Sequence, residues 1–136
     1  MNNKLADDFI SSFARWAATQ PDIRAVGLVG SHARNAANES SDIDLVIITD
    51  HPNKYLKQTE WTRSFGTVVR QQVEDYGMVT SLRTWYADGL EIEYGITFPV
   101  WARTPLDAGT RQVIEDGMRV LFERDALLSP LRKGGG

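Results

Sequence analysis

The sequence predicts an α/β or α+β domain, a mixed β-sheet flanked by helices. Three patterns predict it: an amphipathic helical period at the start, two short apolar runs after it, and strand–turn–strand patterning in the second half. In the first pattern Leu5, Phe9, Phe13 and Trp16 recur every three or four residues, with Asp7, Asp8, Ser11 and Arg15 between them. Gln20-Pro21-Asp22 ends that helix, because the residue before a proline is pushed out of helical geometry. Ile23–Val29 then reads as a strand. Ile43–Ile48 reads as a second, and its few polar interruptions predict a central, well-covered place in the sheet.

Residues 51–66 are polar and weakly periodic, with a short helix expected around Lys54–Ser64. Thr67–Glu74, Met78–Tyr86 and Leu90–Phe98 read as strands. Asp88-Gly89 marks a hairpin between the last two, since both positions tolerate positive φ. Pro99 and Pro105 bracket a loop containing Trp101. A helix over Leu106–Asp116 follows, with Gly117 suited to its C-terminal cap. Met118–Phe122 reads as a short strand and Ala126–Leu131 as a last helical turn or two. No repeat, low-complexity tract or linker interrupts the chain, so residues 1–133 are expected to form one domain, with Gly134-Gly135-Gly136 a disordered tail.

A chain of 136 residues can bury one sizeable core without staples. The net charge of −3 argues against a nucleic-acid partner, which normally meets a basic field. It does not argue against a nucleotide, whose phosphates can be met by metal ions and a few local donors. The absence of cysteine excludes disulfides, thiolate zinc sites and cysteine nucleophiles. The N-terminal residues carry acids where a signal peptide needs an apolar run, and the apolar stretches fall far short of the roughly 20 residues that span a bilayer. A cytoplasmic protein with no membrane association is expected.

The chemistry concentrates where the second strand begins. In a strand, residues two apart share a face, so Asp42 and Asp44 project together, their Cα atoms roughly 6–7 Å apart. Two like charges on one face repel, and the apolar residues after them are poor company. A divalent cation such as magnesium, which takes one or two carboxylates together with substrate phosphates, resolves both problems. Gly30-Ser31 lies at the end of the neighbouring strand, where a glycine lets a phosphate approach the backbone. Ser31-His32-Ala33-Arg34 could begin a helix whose free N–H groups face an anion; Ser31 and Ser41 add hydroxyls and Arg34 charge. Phosphate cradle and carboxylates side by side suit a nucleoside triphosphate with bound magnesium.

A site with two metal ions calls for a third acid, to complete the second position or to take the proton of an attacking hydroxyl. Leu90, Ile92, Tyr94 and Ile96 alternate with Glu91, Glu93, Gly95 and Thr97, which puts both glutamates on the more polar face. Glu93 is preferred because it lies deeper in the strand, whereas Glu91 is two residues from the turn. His32 and His51 read as structural, and the tryptophans Trp16, Trp61 and Trp85 as core or interface. Trp101 has the best case among the tryptophans for touching substrate. The glycines 27 and 30 lack the spacing of a dinucleotide fingerprint.

Gly30-Ser31, ten residues, then Asp42-Ile43-Asp44 resembles the G-S-x10-D-x-D signature of the polymerase-β-like nucleotidyltransferase superfamily. The fuller stretch Gly-Ser-His-Ala-Arg-Asn … Ser-Ser-Asp-Ile-Asp-Leu-Val is similar to the minimal and the aminoglycoside nucleotidyltransferases. The resemblance implies a mixed sheet flanked by helices, three metal-binding acids and magnesium-dependent transfer of a nucleoside monophosphate, AMP from ATP, to a hydroxyl acceptor. It makes Asp42, Asp44 and Glu93 the catalytic and metal-binding acids, and Gly30 and Ser31 the triphosphate-binding pair, with Arg34 and Ser41 beside them. The acceptor would be a small molecule or a protein, held in a shallow cleft or in a pocket completed by a second subunit. The alternative implied is a non-catalytic or antitoxin-type module of the same fold, paired with a small helical protein.

Overall fold

A computed structural model describes residues 4–33, 42–104 and 106–134. The leading helix, α1 (Lys4–Thr19), is followed by β1 (Ile23–Val29) and β2 (Ile43–Thr49). Next come α2 (Pro52–Lys57), a 3-10 turn (Glu60–Phe65), β3 (Val68–Asp75), β4 (Thr80–Tyr86) and β5 (Glu91–Thr97). A second 3-10 turn (Pro99–Ala102), α3 (Ala108–Asp116), β6 (Met118–Glu123) and α4 (Ser129–Gly134) complete the order. The strands form one six-stranded sheet in the order β3-β4-β5-β2-β1-β6. β2 and β5 run parallel, whereas β1 pairs antiparallel with β2 and β6, and β4 pairs antiparallel with β3 and β5.

Alternation along β2 and β5 sorts their residues between two cores. Ile43, Leu45, Ile47, Ile92, Tyr94 and Ile96 face α1, whose Phe9 and Phe13 pack onto them. Aromatic rings knit this face together: Trp61 lies 4.7 Å from Tyr94, Phe13 5.6 Å from Tyr94, and Trp16 stacks on Trp61 at 5.4 Å. Val46 and Ile48 face the other way, against Trp101, Ile114 and Leu128. Asp44, Glu91 and Glu93 share that second face by the same alternation. The site therefore lies on the side that the second half of the chain covers.

Several elements depart from the sequence expectation. The helix expected over Lys54–Ser64 is two pieces, because Gln58 leaves α2 in an extended conformation (φ −112°, ψ 94°) before the 3-10 turn begins. Trp61 Nε1 donates to the Tyr55 carbonyl (2.9 Å), tying the two pieces. The helix expected over Ala126–Leu131 starts later, at Ser129. Asp125 and Ala126 turn with positive φ (60° and 50°), and the Glu123 carboxylate then accepts the N–H groups of Leu128 (2.8 Å) and Ser129 (3.0 Å). That carboxylate caps the first turn, where N–H groups have no partner within the helix. Gly134, expected in a disordered tail, closes α4; Gly135 and Gly136 lie outside the described residues. At the β4–β5 hairpin only Gly89 of the pair takes positive φ (99°), and Tyr86 N–H donates to Leu90 O (2.9 Å) around a loop of Ala87, Asp88 and Gly89.

Candidate functional site

Asp44 stands opposite Glu93 in the parallel β2–β5 ladder, and Glu93 stands opposite Arg83 in the antiparallel β4–β5 ladder. One row across the sheet thus runs Val29, Asp44, Glu93, Arg83, Gln72. Asp42, just before β2, joins it from the same face. Carboxylate oxygens of Asp42, Asp44 and Glu93 lie within 4.8 Å of one another, close enough to share a metal ion.

Asp44 shows the strain of that proximity. Burial, then the charge of Asp42, then Glu93 push its carboxyl up from 3.8 to about 8. Its Oδ1 is buried with no hydrogen-bond partner among the described residues. Buried polar atoms are nearly always partnered, so an orphaned carboxylate oxygen between two further acids fits a hard cation. On this donor set the residues present suit magnesium.

Gly30 ends β1 with φ +75°, a conformation that L side chains rarely adopt. A Cβ there would overlap Oδ2 of Asp44. The glycine therefore serves the acid as well as the turn: it leaves room for the Asp44 carboxylate against the backbone. Ser31 follows in a turn closed by Ala33 N–H on Gly30 O (3.1 Å). The helix expected to start here is a turn as far as Ala33. Arg34 and Ser41, expected beside the phosphates, lie outside the described residues.

Of the two candidate glutamates, Glu93 joins the aspartate pair, whereas Glu91 turns to Arg83 (Nη1 to Oε2, 2.5 Å). Arg83 spends every nitrogen on a carboxylate: Nε on Glu74 (3.1 Å), Nη1 on Glu91 and Asp42 (3.5 Å), Nη2 on Glu93 (3.1 Å). Burial draws its pKa down, but the hydrogen bonds of Glu91, Tyr76 and Glu74 outweigh it and hold the guanidinium protonated. Tyr76 donates to Glu74 (2.8 Å), which keeps Glu74 below the usual carboxylate range and pushes the phenol up to about 12.

A cavity of about 390 Å³ opens beside Asp44 and Glu93, walled by Val46, Met78, Val79 and Trp101. Trp101 lines it while only 3% exposed, so it presents an edge of the second core rather than a free ring. Trp16 and Trp61 belong to the α1 face, and Trp85 stacks under Arg70 at 4.6 Å. His32 is buried in the turn after β1, and His51 precedes α2.

The sequence profile of the streptomycin adenylyltransferase family matches residues 4–132. The chain belongs to that family. Among solved structures, an aminoglycoside 6-adenyltransferase from Bacillus subtilis aligns over 75% of this chain and 37% of its own, at 17% identity and TM-score 0.56. A cytoplasmic RNA terminal U-transferase aligns over 84% and 35%, at 10% identity and TM-score 0.53. The polymerase core of TRAMP, an RNA surveillance complex, aligns over 66% and 30%, at 18% identity and TM-score 0.50. At these identities the likeness is one of fold, and the chain spans about a third of each of these longer proteins. No curated protein sequence matches it. As in the polymerase-β-like nucleotidyltransferases generally, this family member carries a mixed sheet with flanking helices. No helix among the described residues is long and apolar enough to cross a membrane.

Sequence reasoning missed Arg83, Glu74 and Tyr76. The signal for Arg83 was the hairpin: counting back from the Ala87–Gly89 loop pairs Trp85 with Glu91 and Arg83 with Glu93. Glu74 and Tyr76 follow from the β3–β4 register, which the tight turn at Gly77 (φ 83°) sets, with Tyr76 N–H on Val79 O (2.9 Å).

Proposed function

We propose that this chain transfers AMP from ATP, with magnesium, to a hydroxyl group of a cationic small molecule of the streptomycin or aminoglycoside type. The observation that carries the reading is the convergence of Asp42, Asp44 and Glu93 within 4.8 Å beside Gly30. Asp42, Asp44 and Glu93 would hold the metal, two ions in the full complex. Bound there, magnesium would neutralise the triphosphate and lower the pKa of the attacking hydroxyl. Gly30 and Ser31 would receive the phosphates, the glycine by letting them near the backbone and the serine by its hydroxyl. Arg34 and Ser41 would stand beside them.

The acceptor oxygen forms a bond to the α-phosphorus as the bond from that phosphorus to the bridging oxygen breaks, and pyrophosphate leaves. Glu93 would take the hydroxyl proton. Alignment and charge neutralisation supply most of the rate, since this transfer asks little covalent chemistry of a protein. The family's named substrate motivates the acceptor, and Asp107, which lines the cavity together with Asp44 and Glu93, adds the sign that a polycation needs.

The test is transfer of label from α-labelled ATP to streptomycin with and without magnesium. Label on the antibiotic, lost in Asp42→Asn and Asp44→Asn, supports the reading. Full transfer by both variants sinks it, and binding of ATP without transfer to any hydroxyl acceptor favours a non-catalytic module instead.

A further inference from the structure

We propose that Arg83 is a positioning residue for the metal acids: its guanidinium fixes the orientation of Glu93 and Asp42, and is itself anchored by Glu74 and Glu91. The inference rests on the metal-binding reading of the acid triad, and needs neither the nucleotide nor the acceptor. Arg83 lies directly opposite Glu93 in the β4–β5 ladder, so the backbone register sets the pair before any side chain chooses a rotamer.

The guanidinium then uses its planar fork on two sides. Nη2 meets Oε2 of Glu93 (3.1 Å) and Nη1 meets Oδ2 of Asp42 (3.5 Å). One oxygen of each acid thus takes its direction from the arginine. On the other side Nε is bound by Glu74 (3.1 Å), which Tyr76 (2.8 Å) and Gln72 (2.9 Å) hold in turn, and Nη1 is bound by Glu91. The guanidinium is thus located by groups outside the triad, and it passes that location to two members of the triad. Charge alone would not ask for such an arrangement: a lysine would offset the acids equally well but could not orient two carboxylates from one plane. Groups that hold metal-binding side chains in place ordinarily tune affinity as strongly as this.

The Coulomb sign makes the idea decidable. Removing a cation beside a metal site should by itself tighten cation binding, whereas removing a positioning group should weaken it. Manganese binding, read by electron paramagnetic resonance of the free ion without nucleotide, separates the two. Arg83→Gln is expected to raise the Mn2+ dissociation constant about 10- to 100-fold, with Arg83→Lys between it and the unmodified protein. Because Arg83 acts through Glu93 as well as Asp42, the losses should overlap, and the double variant R83Q/E93Q should lose less than the sum of the two single variants.

Unchanged or tighter binding in R83Q, or losses that add in the double variant, would overturn the proposal. Circular dichroism melting checks that R83Q is folded. If it is not, Arg83→Lys keeps the charge, gives up the planar fork, and should weaken Mn2+ binding in the same direction; no change there overturns the idea as well. A protein whose Mn2+ binding depends on Arg83 but which moves no label from ATP would leave this inference standing and remove adenylyl transfer.

Discussion

The two faces of the sheet use the same strands for opposite ends. Leu45 and Asp44 are neighbours in sequence, yet one is buried under α1 and the other stands among acids. On the α1 face Phe13, Tyr94 and Ile92 are fully enclosed. The polar atoms that enter that face are satisfied there: Tyr86 Oη donates to Thr62 O (2.6 Å) and accepts from Tyr94 Oη (2.7 Å). On the opposite face the apolar cover of Trp101 and Ile114 stops short, and half-buried Asp42, Glu74, Glu91 and Glu93 surround one arginine, with Asp44 beside Asp42 and Glu93. The first face supplies the stability that the second spends in holding like charges together.

The sharpest way to break the comparison is at Asp44. Asp44→Asn should lower kcat/KM for label transfer on the order of a thousandfold, several kcal/mol of transition-state stabilisation. The same change should raise the melting temperature of the metal-free protein at neutral pH, because it removes a carboxyl that folding obliges to take up a proton. The linkage has a definite sign. Folded Asp44 holds its proton up to about 8 while the unfolded chain releases it near 3.8, so the folded state binds more protons across that interval. Metal-free stability through Asp44 therefore falls as pH rises from about 4 to about 8, and D44N should flatten that slope in urea titrations at several pH values.

Phe13→Ala tests the other face. It should cost about 3–5 kcal/mol in urea denaturation while leaving the Mn2+ affinity of the folded fraction unchanged. A large change in affinity would show that the two faces are not separable. Gly30→Ala and Gly89→Ala then make a matched pair, since both glycines have positive φ but only Gly30 abuts Asp44. Each should lose about 1–2 kcal/mol of stability through backbone strain. G30A alone should also lose metal binding and label transfer, and equal activity in the two variants would remove the steric link to Asp44. At the small end, Lys4→Ala breaks only an exposed pair with Asp8 on α1 (3.1 Å) and should change stability by about 0.3 kcal/mol.

The sequence disclosed what depends on short-range period. Asp42 and Asp44 share a face because strands repeat every two residues, and Gly30 could be placed at a strand end for the same reason. Glu93 was separable from Glu91 by its depth in the strand, and the structure sets it opposite Asp44. What periodicity does not carry is which strand lies beside which. The parallel β2–β5 pairing, and with it the row through Arg83, depends on packing between residues some fifty apart in sequence. The late start of α4 was hidden for a different reason: Asp125 and Ala126 take positive φ without a glycine to announce it.

The parallel pairing of β2 with β5 also sets when the site can exist. An antiparallel partner could have arrived through a short hairpin, as β5 does after β4. A parallel one requires the chain to travel through α2, β3 and β4 before Glu93 reaches Asp44. Closing so long a loop is entropically costly and comes with the global fold rather than ahead of it. Metal binding at these acids is therefore a signal of completed folding: a refolding chain would gain its cation only as the middle of the sheet zips shut.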